Sequence, residues 1–370
     1  MMTSKSKKQL TTRQICFFII AFLPVTKMFM MPSVVAKFAK EDMWISILIN
    51  LSLDFLTIAG LTYVCKKSNL TFFQLLENSF GKIASKIILF VYFLFFFLKA
   101  IIPIDEQRDY IEFTLYTLVP NVFYFLPFFV VAFFLCMKKL RVIGRLADVL
   151  FIITIIGFIM LILLSFSNAD FQSILPIGAQ GFSSIIKGAY SSYVWFSDAV
   201  YFLFFIGQFD YKKNDYRKIF LSYAVHAAMV LLFIVIFYSI FTSIAFRQRF
   251  ALTEISKYTT VINNIGRLDF IGIFLTLLSN MFAISLPMFF CCKILNHVFE
   301  LKKLWIAPTI TLGLHIAITV FLSEYYATIE RLFFSYGGLV FFILGNVLPL
   351  ITIFLLPKGG NKCKQLNEQK

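Results

Sequence analysis

Apolar runs of about twenty residues recur along the whole chain, separated by short polar stretches. They do not alternate residue by residue, so they suit helices crossing about 30 Å of hydrocarbon rather than barrel strands. The pattern predicts ten membrane helices, at approximately 15–36, 44–64, 86–104, 119–137, 147–166, 188–207, 217–241, 268–292, 304–322 and 333–356. The expected fold class is all-α integral membrane, with a transmembrane domain at 15–357 between short tails at 1–14 and 358–370.

Charge gives these helices a direction. With the N-terminus inside, the inner segments carry 23 Lys and Arg and the outer ones 9, and Lys27 and Lys99 fall within the spans. That asymmetry predicts cytoplasmic N- and C-termini in a cell membrane. The outer segment 242–267 is long and basic (Arg247, Arg249, Lys257, Arg267), which suggests a structured cap. All six cysteines fall at predicted cytoplasmic ends or in the tail, a reducing side where disulfides are not expected. The first residues resemble the charged start of a signal peptide, but Lys27 interrupts the apolar region, so the segment is expected to stay as span 1.

Composition closes off other classes. Sixty per cent of the residues are hydrophobic, 14% are charged and 49 are Phe, too much apolar surface for a soluble core of 370 residues. The net charge of +15 is read as facing anionic lipid in the bilayer, not nucleic acid. No metal-ligand spacing, cofactor fingerprint or protease motif is visible, so neither an enzyme nor a cofactor is expected.

Ten spans divide into two sets of five, about 15–166 and 188–356. An odd number of helices per set inverts the second copy, the arrangement of inverted-repeat transporters. "FLPVTKMFMMP" (22–32) is the most unusual stretch within a span, with Pro24 and Pro32 flanking Lys27. Each proline removes a backbone donor and is expected to free a carbonyl one turn back. Irregular backbone at membrane depth is tolerated where it lines a cavity, so Thr26 and Lys27 are candidate pocket residues. Asp54 and Asp198 lie near the midpoints of spans 2 and 6. A charge at that depth costs roughly 2.5–3.5 kcal/mol unpaired, so Lys27 is expected to face Asp198, with Asp54 as substitute partner. A structural ion pair and a ligand site are both compatible with this. Ser192, Trp195 and Ser197 form either a polar pocket wall with an aromatic lid or an ordinary packing face. Lys99, Asp148 and Asp269 sit at span ends and are expected to snorkel. Asp105, Glu106, Asp109 and Glu112 stand within reach of Lys99, and Arg145 within reach of Asp148. His226 and His315 read as packed, hydrogen-bonded histidines.

Several segments resemble a known family. "PSVVAKFAKEDMWIS" (32–46) is similar to the signature after the first helix in the B subunits of bacterial spore germinant receptors. "LRVIGRLADVL" (140–150), "DFQSILPIGAQG" (170–181), "WFSDAVYFLFF" (195–205) and "NNIGRLDFIGIF" (263–274) resemble further family motifs in the same order. Asp148 and Asp198 stand where that family usually has Glu. This GerAB-type family belongs to the amino acid–polyamine–organocation (APC) superfamily. The resemblance implies an APC/LeuT-type fold of 5+5 inverted repeats, with discontinuous spans 1 and 6 around a ligand pocket. The family's Gly-x-Gly break in helix one is absent here; Thr26, Lys27 and Met28 occupy the position, so the pocket chemistry must differ.

The expected function is therefore that of a permease-like receptor subunit in the spore inner membrane. It would bind an amino acid or similar small nutrient beside A- and C-type subunits. A secondary transporter of amino acids or amines with no role in spores, and a membrane scaffold with a vestigial pocket, remain the other readings.

Overall fold

The computed structural model describes residues 8–114, 122–257, 269–321 and 325–355. Its regular structure is helical, with no strand among those residues, and helices fall within each of the ten expected segments where described, with breaks inside spans 1 and 6. Six helical stretches are long and apolar enough to cross a membrane: Met31–Lys67, Phe72–Ile111, Leu140–Asn168, Asp215–Arg247, Leu277–Val298 and Tyr326–Ile351. Leu126–Cys136 and Ile306–Phe321 are shorter apolar helices. Bulky apolar side chains, among them Ile83, Ile87, Phe134, Leu163 and Leu221, lie on the outside of the bundle, as a lipid-facing surface requires.

Helix α1 (Thr12–Phe22) starts from a capping box. The Gln14 N–H donates to Thr11 Oγ1 at 3.3 Å, and the Thr11 N–H donates to Gln14 Oε1 at 3.1 Å. It ends at Leu23, before Pro24, and a 3-10 turn over Val25–Lys27 follows. Helix α2 (Met31–Ala39) then begins with Pro32 in its first turn, where a missing N–H has no cost. Pro24 thus breaks span 1 as expected. Pro32 starts a helix instead of freeing a second carbonyl.

Lys40, at φ 43°, separates α2 from α3 (Met43–Lys67). Helix α4 (Phe72–Thr114) turns sharply at Gly81 (φ 76°, ψ 174°) and continues well past the expected end of its span. Helices α5 (Val122–Cys136) and α6 (Leu140–Ser165) complete the first half. In the second half α7 (Gly181–Ser192) runs into a 3-10 turn at Tyr193–Trp195. Phe196 is extended, Ser197 is left-handed at φ 64°, and a 3-10 segment continues over Asp198–Phe205. Span 6 is therefore broken without any proline, by backbone strain at Ser197. Helices α8 (Asp215–Phe241), α9 (Ala251–Lys257), α10 (Asp269–Val298) and α11 (Ile306–Phe321) follow, then a series of helical turns from Tyr326 to Leu355.

The two breaks meet in the interior. α1 packs on α6 and α8, α10 on α4 and α6, and α3 on α7, α8 and the Asp198–Phe205 segment. The segment after α8 folds as a 3-10 turn (Thr242–Arg247) and α9, and it docks on the first break. There the Ala251 N–H donates to Phe29 O at 3.0 Å and the Leu252 N–H to Met28 O at 3.1 Å. This is the expected cap as far as residue 257; its remainder lies outside the described residues.

Candidate functional site

Asp198, at the start of its 3-10 segment, is gripped by two lysines from two different helical elements. Lys27 Nζ bonds Asp198 Oδ2 and also donates to Leu23 O at 2.8 Å, a carbonyl at the end of α1 beside Pro24. Lys99 Nζ lies 3.0 Å from Asp198 Oδ1 and donates to Phe196 O at 2.5 Å. All three side chains are buried. The break in span 6 supplies Phe196 O: Phe196 and Ser197 leave helical geometry, and the carbonyl is free to meet an ammonium.

Asp54 on α3 completes the centre without touching either lysine. Its Oδ1 accepts the Ser197 N–H at 3.1 Å and the Asn346 amide at 2.9 Å, and that amide also donates to Thr57 Oγ1 at 3.0 Å. The left-handed Ser197 is thereby held by a carboxylate on its N–H. Two ammoniums and two carboxylates share one buried region. Removing such charges from water costs several kcal/mol each, which only close pairing and satisfied hydrogen bonds offset.

A cavity of about 20 Å³ adjoins the ions, lined by Thr26, Lys99, Trp195, Asp198 and Tyr201 among others. That volume holds about one water molecule. Trp195 closes one side: its Nε1 donates to Glu106 Oε1 at 2.6 Å, and its ring lies 5.2 Å from that of Phe334. Of the residues singled out in the sequence, Lys27, Asp54, Ser197 and Asp198 come together, and Thr26 and Trp195 line the cavity. Met28 and Ser192 do not line it. The Met28 side chain is in the apolar core, and Ser192 Oγ donates to Gly188 O at 2.8 Å and accepts from Asn50 at 3.0 Å.

Three expectations for the span ends are corrected. Lys99 does not snorkel, because α4 continues to Thr114 and leaves it deep within the helix. Its expected acidic partners are engaged elsewhere. Arg108 pairs with Asp105 at 2.7 Å and with Asp109 at 2.6 Å, Arg249 also pairs with Asp109, and Glu106 holds Trp195. The Glu112 and Asp269 side chains lie outside the described residues. Asp148 pairs with Arg13 at 3.2 Å and accepts Gln14 Nε2 at 2.9 Å, rather than meeting Arg145, because α1 packs on α6 at that level. His315 sits between the Thr311 and Phe97 carbonyls at 2.8 and 3.2 Å. His226 packs edge-on against Tyr223 with its Nδ1 unpartnered.

A membrane helix bundle with two facing broken segments around buried charges has the architecture of a transporter-like permease. The chain matches the profile of the spore germination protein (spore permease) family over residues 9–331, and it belongs to that family. In fold it is similar to three mutants of the manganese transporter of Eremococcus coleocola. Their TM-scores are 0.61, 0.59 and 0.56 at 13, 13 and 14% identity, over 100% of this chain and 92% of each of theirs. No curated protein sequence matches it.

Proposed function

We propose that the chain is the permease-like subunit of a germinant receptor and binds a small zwitterionic nutrient, an amino acid or similar solute, at the Lys27–Asp198–Lys99 centre. The observation that carries this reading is the shared carboxylate. Asp198 bonds two ammoniums from separate elements at the junction of both breaks, next to the cavity. A ligand carboxylate can replace Asp198 on one lysine, and the ligand ammonium can take the oxygen so released, so the charges stay balanced through the exchange. Thr26 and Trp195 would face the ligand in the cavity, with Asp54 and Ser197 bonded to each other beside the ions and Met28 and Ser192 supporting the breaks from behind. With room for about one water, the site is closed in this state, and admitting a nutrient requires the broken segments to part. The two five-helix repeats, about 15–166 and 188–356, supply the elements that would move, with both termini on the cytoplasmic side.

The similar fold of a manganese transporter raises a divalent cation as another cargo. The residues here do not fit one: two fixed ammoniums share the centre with the carboxylates, and no group of three His, Cys, Asp or Glu side chains suited to a metal is found among the described residues.

The test is a thermal-shift screen of the purified protein against amino acids, sugars and nucleosides, repeated with Lys99→Met. A stabilising amino acid that loses its effect in the variant supports the site; equal stabilisation of both proteins refutes it. Uptake of that ligand into proteoliposomes would favour a transporter over a sensing subunit. Co-purification of A- and C-type subunits would favour the receptor, and a chain that binds nothing would be the scaffold.

A further inference from the structure

A second site lies on the flank of the bundle, away from the charged centre. Every third or fourth residue of α3, from Leu48 through Leu51, Phe55, Ala59 and Thr62 to Lys66, lines one continuous cleft against α8. The cleft has two chemically distinct parts. Its polar end is a pocket of about 420 Å³ that gathers Lys66, Lys213 and Arg217 with Tyr63 and Tyr216, and no acidic side chain lines it. Asp215, next in the chain, is engaged with Thr12 and the Lys212 N–H. Thr62, 2% exposed, lines this pocket with its hydroxyl unpartnered. The other part is an apolar groove of about 730 Å³ lined by Leu51, Phe55, Tyr223, Ala224 and Ala227. Tyr216, Arg217 and Phe220 belong to both parts, so the two are continuous.

We infer that this cleft is a binding site for an anionic phospholipid, whose phosphate headgroup meets Lys66, Lys213 and Arg217 and whose acyl chain lies in the groove between α3 and α8. Charge complementarity favours an anion at the pocket, and the apolar groove opening from it favours one that carries a hydrocarbon chain. The dimensions agree. From Arg217 to Ala227 the α8 wall rises about 15 Å, which is half of the roughly 30 Å hydrocarbon thickness and so one leaflet. Exposed Tyr63 in the polar pocket and Tyr216 at the junction stand where ring hydroxyls meet the headgroup layer. The guanidinium of Arg217 is already oriented by its Nε–H donating to Tyr216 Oη at 3.0 Å.

Native mass spectrometry of the full-length protein, released from mixed bilayers of phosphatidylglycerol and phosphatidylcholine, tests this. The protein is expected to retain phosphatidylglycerol preferentially, by about fivefold for each cation engaged. Lys66→Gln/Lys213→Gln/Arg217→Gln should bring the two lipids to parity. The matched triple Lys138→Gln/Lys139→Gln/Arg141→Gln, on another basic surface, should keep the preference. Ala224→Trp, which fills the groove, should reduce retention of both lipids. The proposal is overturned if the cleft triple keeps the wild-type preference, or if both triples lose it equally, since that is non-specific attraction. It also fails if inorganic phosphate displaces the lipid at equal concentration, because the groove then contributes nothing.

Discussion

Lys99 and Asp198, far apart in sequence, stand 3.0 Å apart in the buried centre of the bundle, and Lys27 holds the other oxygen of the same carboxylate. One acid thus serves two bases, and the remaining acid, Asp54, is spent on the Ser197 N–H and the Asn346 amide. The four groups balance only as a set.

Balance makes the single substitutions worse than one particular double. Lys27→Met leaves one uncompensated negative charge, and breaking a buried pair in this way costs about 3–5 kcal/mol. Adding Asp198→Asn restores neutrality between Lys99 and Asp54. Thermal melting in detergent should place Lys27→Met well below the wild type and the double variant between them. A double variant whose loss equals the sum of the Lys27→Met and Asp198→Asn losses would show that Lys27 and Asp198 are not coupled.

Much of this centre was legible in the chain. Lys27, Asp54 and Asp198 could be found because an ionised group at mid-span is costly and so demands a partner. Pro24 announced the first break. Ser46, Asn50, Asp54 and Thr57 also recur at helical spacing on α3. This polar stripe tracks α7 and its break, bonding Ile185 O and Ala189 O at 2.8 Å and the Ser197 N–H at 3.1 Å. Its period is visible in the sequence, but of the four only Asp54 carries a charge that demands a partner. Lys99 was hidden by a different fact. The apolar run of span 3 ends soon after it, yet α4 continues through Asp105 and Asp109, whose charges are met by Arg108 and Arg249. Arg108 meets Asp105 and Asp109 from within α4, whereas Arg249 reaches Asp109 from the segment after α8, and that second partner cannot be placed from a single sequence. The left-handed turn at Ser197 carries no Gly or Pro signal at all.

Gly345 is what lets the last helical segment reach that turn. A Cβ at this position would lie 2.2 Å from Ser197 Cβ, whereas one at Gly313 would meet nothing within 4 Å. Gly345→Ala must push the segment away from Ser197 and draw Asn346 off Asp54. Overpacking of this kind costs about 1–3 kcal/mol. The expected result is a lower melting temperature and weaker ligand stabilisation for Gly345→Ala, with little change for Gly313→Ala. Matching behaviour of the two variants would count against close approach at Ser197.

The end of the bundle opposite α9 is closed by the first described residues. Lys8 Nζ donates to Gly207 O at 2.9 Å, and the Gln9 and Leu10 N–H groups donate to Gln208 O at 2.9 and 3.1 Å. Thr12 Oγ1 donates to the buried Asp215 Oδ2 at 2.7 Å. These bonds tie the start of α1 to the chain just after the second break, so they resist separation of the two. Thr12→Val removes a hydrogen bond to a charged group, about 1.5–3 kcal/mol, and leaves the Thr11 cap intact. In a cysteine-free background, a cysteine at position 26 should then react faster with a maleimide added from that side. An unchanged rate would mean that the clasp does not limit opening.

At the other end, Arg249 and Asp109 bind the segment after α8 to α4, while the Ala251 and Leu252 N–H groups seal the Phe29 and Met28 carbonyls of the first break. The ion pair is one-sided: the Arg249 side chain is 42% exposed and Asp109 is buried. Water and salt therefore screen it, and its contribution stays within about 0.2–1 kcal/mol. Arg249→Gln should lower the melting temperature only slightly. Its effect should appear instead as local opening, with hydrogen exchange at Ala251 and Leu252 faster by up to about fivefold. Raising the ionic strength should speed exchange at the same two amides in the wild type and not in the variant, because only the wild type has the pair to screen. Exchange that ignores both the substitution and the salt would show that the two backbone hydrogen bonds hold the cap unaided.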